Sequence, residues 1–191
     1  GMYKIKLADD EGIVIDSLRF ILSKEFGDTC VIESAKTGRS VIELAEHFGP
    51  DIAIMDIQMP GINGIEAMRE IRETNTNTIF IVMSAYDKFD YAKEAIGLGV
   101  LEYLNKPVDR TEIVAVVKRA MHLIDKEREK RSKDLMIREK METVVPIIEN
   151  GLVYNILFQE FFEDDIENFK NLLGLSMDYG FMMALVFRED Q

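Results

Sequence analysis

Asp9, Asp10 and Glu11 stand together directly after a short apolar run. Asp56 follows a second such run, Ser84 ends a third, and Lys106 with Pro107 follows a fourth. Clustered hard oxygens suit Mg²⁺, which binds through one or two carboxylates and keeps several waters. A lysine beside them offers a point charge to a phosphate. A serine hydroxyl can donate to a phosphoryl oxygen, and a carboxylate can act as nucleophile towards phosphorus. The set reads as phosphoryl transfer onto a carboxylate, with metal and lysine stabilising the equatorial oxygens. No G-x-x-x-x-G-K-[ST] occurs, so the phosphoryl group has to come from a partner or a small donor.

These residues meet only if the runs before them are neighbouring strands. Five runs have strand length and β-branched character: Tyr3–Ala8, Cys30–Ala35, Ile52–Met55, Ile79–Ser84 and Leu101–Leu104. IAIM and IFIVM are apolar throughout, as strands covered on both faces are. Helical spacing separates them. Val14, Leu18, Ile21, Leu22 and Phe26 share one side, as do Val41, Ile42, Leu44, Ala45 and Phe48. Ile65, Met68 and Ile71 mark a third helix. Phe89, Ala92, Ala95 and Ile96 mark a fourth, and Ile113, Val116, Val117, Ala120 and Met121 a fifth. Strict alternation implies right-handed crossovers and a doubly wound, five-stranded parallel sheet of the α/β class. The functional crevice of such a sheet lies beyond the carboxyl ends of its strands, where the polar residues fall.

Composition narrows the class. The 191 residues carry 23 Lys+Arg against 35 Asp+Glu, a net charge of −12. So acidic a chain does not hold nucleic acid through its own surface. One cysteine, Cys30, allows no intramolecular disulfide and fits a reducing interior. It is expected to pack in the second strand. No run reaches the roughly 18 apolar residues of a membrane span, and the start lacks the apolar stretch of a secretion signal. A cytoplasmic protein is expected. His47 and His122 read as surface residues, and the eleven methionines as core filler.

The ordered set resembles the receiver domain of two-component response regulators over about residues 2–124. The resemblance rests on Asp9-Asp10, on Asp56 within MDIQMPGINGIE, on Ser84-Ala85, and on Lys106-Pro107 within EYLNKPV. It implies a flavodoxin-like fold with Asp56 as phospho-acceptor. Mg²⁺ would be bound by the carboxylates of Asp10 and Asp56 and the backbone carbonyl of Gln58, with Asp9 assisting through water. Ser84, Lys106 and the Ala85 N–H would contact the phosphoryl group, and the Lys106–Pro107 bond would be cis. Ser84 and Tyr103 would form the switch: the hydroxyl moves towards the phosphate and the aromatic ring turns inward. A sensor histidine kinase would be the donor. The domain would catalyse only its own phosphorylation and dephosphorylation, a signalling switch and not an enzyme in the ordinary sense.

The stretch SAYDKFDYAKEAIGLGVLEYLNKPV looks like receivers joined to AraC-type transcription regulators. After the receiver, at 1–124, residues 125–150 are expected to form an extended linker helix. It begins DKEREKRSKD, and residues 125–149 hold 7 basic and 7 acidic residues, as a solvated helix does. A heptad seam through Val117, Met121, Ile124, Arg128, Arg131, Leu135, Arg138 and Glu142 is half charged and supports a long coiled coil poorly. Residues 151–191 are apolar again. Leu152, Ile156, Leu157, Phe161 and Phe162 suggest a helix, Ile166 to Leu173 another, and Tyr179–Phe187 a buried strand. They are expected to be the first part of a truncated α+β middle or effector domain. DNA would be bound only through a C-terminal domain absent from this sequence, and a homodimer is compatible with the helix. A phosphorelay or chemotaxis-type receiver without DNA output, and a regulator of an enzymatic output domain, stay open as alternatives.

Overall fold

The computed structural model describes residues 1–47, 49–85 and 89–157. In chain order these form β1 (Tyr3–Ala8), α1 (Gly12–Phe26), β2 (Cys30–Ala35), α2 (Gly38–His47), β3 (Ile52–Asp56), α3 (Gly64–Thr74), β4 (Ile79–Ser84), α4 (Phe89–Gly97), β5 (Glu102–Asn105) and α5 (Arg110–Leu157). All strand pairs are parallel, in the order β2-β1-β3-β4-β5. β5 sits one residue later than the apolar run suggested, and β3 reaches Asp56 itself.

Alternation along the strands builds two cores. Ile5, Leu7, Ile54, Ile81, Met83 and Leu104 face α1 and α5, where Leu18, Leu22, Ile113 and Val117 are buried. Ala8, Ala53, Met55, Phe80 and Val82 belong with Val41, Ile65, Met68, Ile71 and Ala95 of α2, α3 and α4. Each fully buried large aliphatic side chain contributes roughly 1.5–3 kcal/mol. Lys6 is the exception inside β1. It is buried, and it pairs with Glu33 at the matching register position of β2. Burial, with Lys4 adding to it, pushes its ammonium below the usual lysine range. Cys30 is half-buried against the first core, as expected, and His47 and His122 are exposed.

Two helices depart from the sequence pattern. Ile96 was expected on the packed side of α4 but is 78% exposed, whereas Ala95 is buried. Consecutive helical residues point about 100° apart, and the buried stripe of α4 is narrower than its apolar one. α5 was expected to end with the linker near residue 150, and another helix to begin at Leu152. Instead α5 passes Pro146 without a break and is described to Leu157. A proline there removes one backbone bond, to the carbonyl of Glu142. Val144 and Val145 beside it are half-buried and Ile148 is buried, so packing offsets the loss. The chain divides into two compact units, Gly1–Lys126 and Glu127–Gln191. Phe161 and Phe162, the second helix and the Tyr179–Phe187 strand expected after residue 157 lie outside the described residues. Among the described residues no helix is long and apolar enough to cross a membrane.

The topology opens a crevice between β1 and β3, where the strand order reverses. The loop after β3 is pinned there. Asn63 caps α3 by accepting from the Glu66 N–H at 2.9 Å, and the Gly64 N–H donates to the Ile57 carbonyl at 2.8 Å. A Cβ on Gly64 would lie 2.2 Å from the Asp56 carbonyl oxygen, so only glycine fits without moving β3 or α3. Gly64→Ala is expected to lower stability by about 1–3 kcal/mol in urea unfolding, the range for overpacking a tight contact. An unchanged unfolding midpoint would show that the loop yields freely.

Candidate functional site

The carboxyl ends of β1, β3, β4 and β5 place the polar set. Ala8 pairs with Met55, Asp56 with Met83, and Ser84 with Asn105, so the residues that follow emerge side by side. Asp9, Asp56 and Ser84 are buried. Asp10 and Gln58 are exposed, and Lys106 is half-buried. Asp9, Asp10 and Asp56 each offer a carboxylate oxygen, and the three oxygens lie within 4.8 Å of one another.

Lys106 reaches across from the end of β5. Its Nζ donates to Asp9 Oδ2 at 2.6 Å and lies 3.3 Å from Asp56 Oδ2. The Glu11 N–H donates to Asp9 Oδ1 at 2.9 Å, and the Gln58 N–H to Asp56 Oδ1 at 3.4 Å. Lys106 is itself fixed by its backbone N–H, which donates to the Ser84 carbonyl at 2.8 Å. The Lys106–Pro107 peptide is cis.

One ammonium faces several carboxylates, and the ionisation of both partners reflects it. Burial raises the Asp56 carboxyl above its usual range; Lys106 opposes this and the Asp9 charge adds to it. Burial alone would lower Lys106, but the hydrogen bond to Asp9 and the charges of Asp56 and Asp9 outweigh it and hold the ammonium above its usual value. Such a surplus of buried negative charge favours a further cation. Hard oxygen donors with an exposed member, Asp10, fit a divalent ion that keeps part of its water.

The structure thus gathers Asp9, Asp10, Asp56 and Lys106, with Gln58 and Ser84 at the edges of the group. Ala85 is exposed just beyond Ser84. Tyr103 lies apart from the carboxylates. It is half-buried against the second core, and its hydroxyl is buried with no hydrogen-bond partner among the described residues. Glu11 was visible in the sequence as a third acidic residue after β1 but carried no role there. Its Oε2 lies 3.7 Å from Lys106 Nζ. Only its place directly after Asp10 pointed to this, because side-chain direction at a helix start is not written in spacing.

Comparison with known proteins agrees with this geometry. Residues 5–118 match the model of the response regulator receiver domain. The chain is 32% identical over 143 residues to the uncharacterized transcriptional regulatory protein YesN of Bacillus subtilis, covering 75% of this chain and 39% of that protein. It is 31% identical to the transcriptional regulatory protein HptR of Staphylococcus aureus, covering 70% of this chain and 52% of that one. The chain therefore spans about half or less of the length of these relatives. Among solved structures, the receiver domain of AraT, a response regulator from Geobacillus stearothermophilus, superposes with a TM-score of 0.61 at 34% identity, covering 67% of this chain and 99% of that chain. A CheY-like receiver domain protein from Methanospirillum hungatei gives a TM-score of 0.63 at 22% identity, over 66% and 99%, a likeness of fold alone. A parallel sheet in the order β2-β1-β3-β4-β5, an acidic crevice bridged by one lysine and a family match over residues 5–118 converge: the chain belongs to the response regulator receiver family.

Proposed function

We propose that this chain is a phosphorylation switch whose acceptor is Asp56. The observation that carries the reading is a buried carboxylate at the carboxyl end of β3 with an ammonium 3.3 Å away and two further carboxylates beside it. An Asp56 oxygen attacks phosphorus, the bond from phosphorus to the donor breaks, and its electron pair leaves with the donor group. Lys106 neutralises charge on the transferred oxygens, and the Ser84 hydroxyl and the Ala85 N–H donate to them. The carboxylates of Asp10 and Asp56 and the Gln58 carbonyl, with Asp9 through water, would hold Mg²⁺, which would supply the remaining charge stabilisation.

A sensor histidine kinase is the donor in this reading, in the cytoplasm. The kinship with YesN and HptR supports transcription as the output. DNA binding by an AraC-type domain would lie outside this sequence. Residues 125–150 would be the linker helix and 151–191 the start of a middle or effector domain, with pairing of two chains as a further consequence of the switch. The chain would modify only itself.

The switch reading uses Ser84 and Tyr103. A new phosphoryl group draws the Ser84 hydroxyl towards it, and Tyr103 on the adjacent strand follows. A buried hydroxyl without a partner costs stability wherever it sits. Such a group is held weakly in its present position.

Three outcomes test this. With Mg²⁺ and a small phosphodonor, the intact mass of the wild type should gain one phosphoryl group, and Asp56→Asn and the chelated protein should gain none. Uptake by Asp56→Asn would remove the acceptor assignment.

The second concerns Asp56 in the resting, metal-free protein. Its folded pKa is raised, so the folded chain holds that proton more tightly than the unfolded chain. The stabilising contribution of the protonated form is complete below the unfolded value of about 3.9 and lost as pH rises through the folded value. Asp56→Asn should therefore melt higher than wild type near neutral pH, a gap that closes towards acid. A lower melting temperature for the variant near neutrality would mean that the Lys106 attraction outweighs burial.

Third, Tyr103→Phe should leave the melting temperature equal or slightly higher, because it deletes an unpaired buried hydroxyl. A clear loss of stability would reveal a partner for that oxygen.

A further inference from the structure

Glu11 stands at the mouth of the same cluster, and the reading above gives it no part. Its main chain is fixed. The N–H donates to Asp9 Oδ1, and the carbonyl accepts from the N–H groups of Val14 and Ile15 at the start of α1. Glu11 occupies the N-cap position, where a polar side chain ordinarily accepts from the first turn of its own helix. It makes no such bond. The side chain instead leans across the crevice, with Oε2 3.7 Å from Lys106 Nζ, and is 61% exposed.

Lys106 therefore meets Asp9 at 2.6 Å, Asp56 at 3.3 Å and Glu11 at 3.7 Å. An ammonium has three protons to donate. Asp9 and Asp56 face two of these directions, and Glu11, beyond hydrogen-bond reach at 3.7 Å, draws the ammonium by charge away from a phosphoryl oxygen arriving beside Asp56. The Asp9 contact is the shortest and is buried, and Asp56 is the reacting group. Glu11 is the partner that water can replace. Its charge also stands where an anionic donor must enter, opposing approach.

We propose that Glu11 is a positioning residue that holds Lys106 back from the incoming phosphoryl group and so slows phosphoryl uptake from anionic donors at Asp56. The proposal rests on Asp56 being the acceptor. Glu11 neither forms nor breaks a bond in it. The new bond is between an Asp56 oxygen and phosphorus, and the one lost is between phosphorus and the donor oxygen, which keeps the electron pair. The consequence is a receiver whose small-molecule phosphorylation is restrained by a surface carboxylate.

The test uses the whole chain with saturating Mg²⁺ and acetyl phosphate, a small anionic donor, with phosphorylation followed by intact mass. Glu11→Gln should raise the rate constant about two- to fivefold, the range an exposed ion pair supports. Glu11→Asp, which keeps the charge, should lie nearer the wild type. In a Lys106→Met background the same Glu11→Gln change should have no effect. Unchanged melting temperatures on mutating Glu11 would exclude a folding effect. If Glu11→Gln is as slow as wild type or slower, the proposal is overturned while the acceptor reading stands. If it accelerates the Lys106→Met protein equally, Glu11 acts without Lys106 and the positioning role is overturned. Wild type that takes up no phosphoryl group would overturn the acceptor reading and this proposal together.

Discussion

The contact between Lys106 and two buried carboxylates is the constraint on which the first unit is organised. Asp9 and Asp56 are both withdrawn from water, and each alone would be costly to keep ionised. One ammonium at 2.6 Å and 3.3 Å serves both. This works only if the ends of β1, β3 and β5 arrive at one point, although residues 9, 56 and 106 are far apart in sequence. Removing that ammonium would leave two buried carboxylates uncompensated, at a cost of about 3–5 kcal/mol. Fold and site therefore share the same requirement.

The doubly wound sheet meets it by register. Parallel strands end on the same edge, and a side-chain period of two sends alternate residues into opposite cores. Ile5 and Leu7 go to one core and Ala8 to the other, after which the strand stops and Asp9 is released into the crevice. Asp9 is tied down on its far side as well, since its N–H donates to the Ala35 carbonyl at the end of β2. On β3 the chain turns at once into the loop closed by the Gly64 N–H and the Ile57 carbonyl. Short connections on both sides leave Asp9 and Asp56 little freedom to separate.

Where burial on two faces governs the sequence, the sequence could be read. IAIM and IFIVM have no polar face because both faces are covered, and they became β3 and β4 almost residue for residue. The gathering of Asp9, Asp10, Asp56 and Lys106 followed from topology once the strands were placed. Other features were not legible, for physical reasons. Ile96 sits in an apolar stripe wider than the face α4 buries, and periodicity cannot say which edge of a stripe is wet. Pro146 breaks a helix by local rules, but the packing of Val144, Val145 and Ile148 is not a local property. The direction taken by Glu11 and the unpaired hydroxyl of Tyr103 depend on rotamers, which spacing does not encode.

The charge balance of the crevice argues for movement if Asp56 is esterified. The free site pairs one ammonium with Asp9, Asp56 and the more distant Glu11. Esterification would remove the Asp56 charge and replace it with a phosphoryl group of nearly two negative charges, displaced outward from the carbon. Lys106 could not keep its present distances to all its partners and also meet the new oxygens. Its backbone N–H is bonded to the Ser84 carbonyl, so a shift at Lys106 is transmitted to the end of β4 without an intermediary. Ser84 pairs with Asn105, and Tyr103 pairs with Val82 two residues earlier on the same ladder. A rearrangement that starts as one lysine choosing among carboxylates would thus be felt along the β4–β5 edge. There Tyr103 carries a buried hydroxyl that no described residue holds in place.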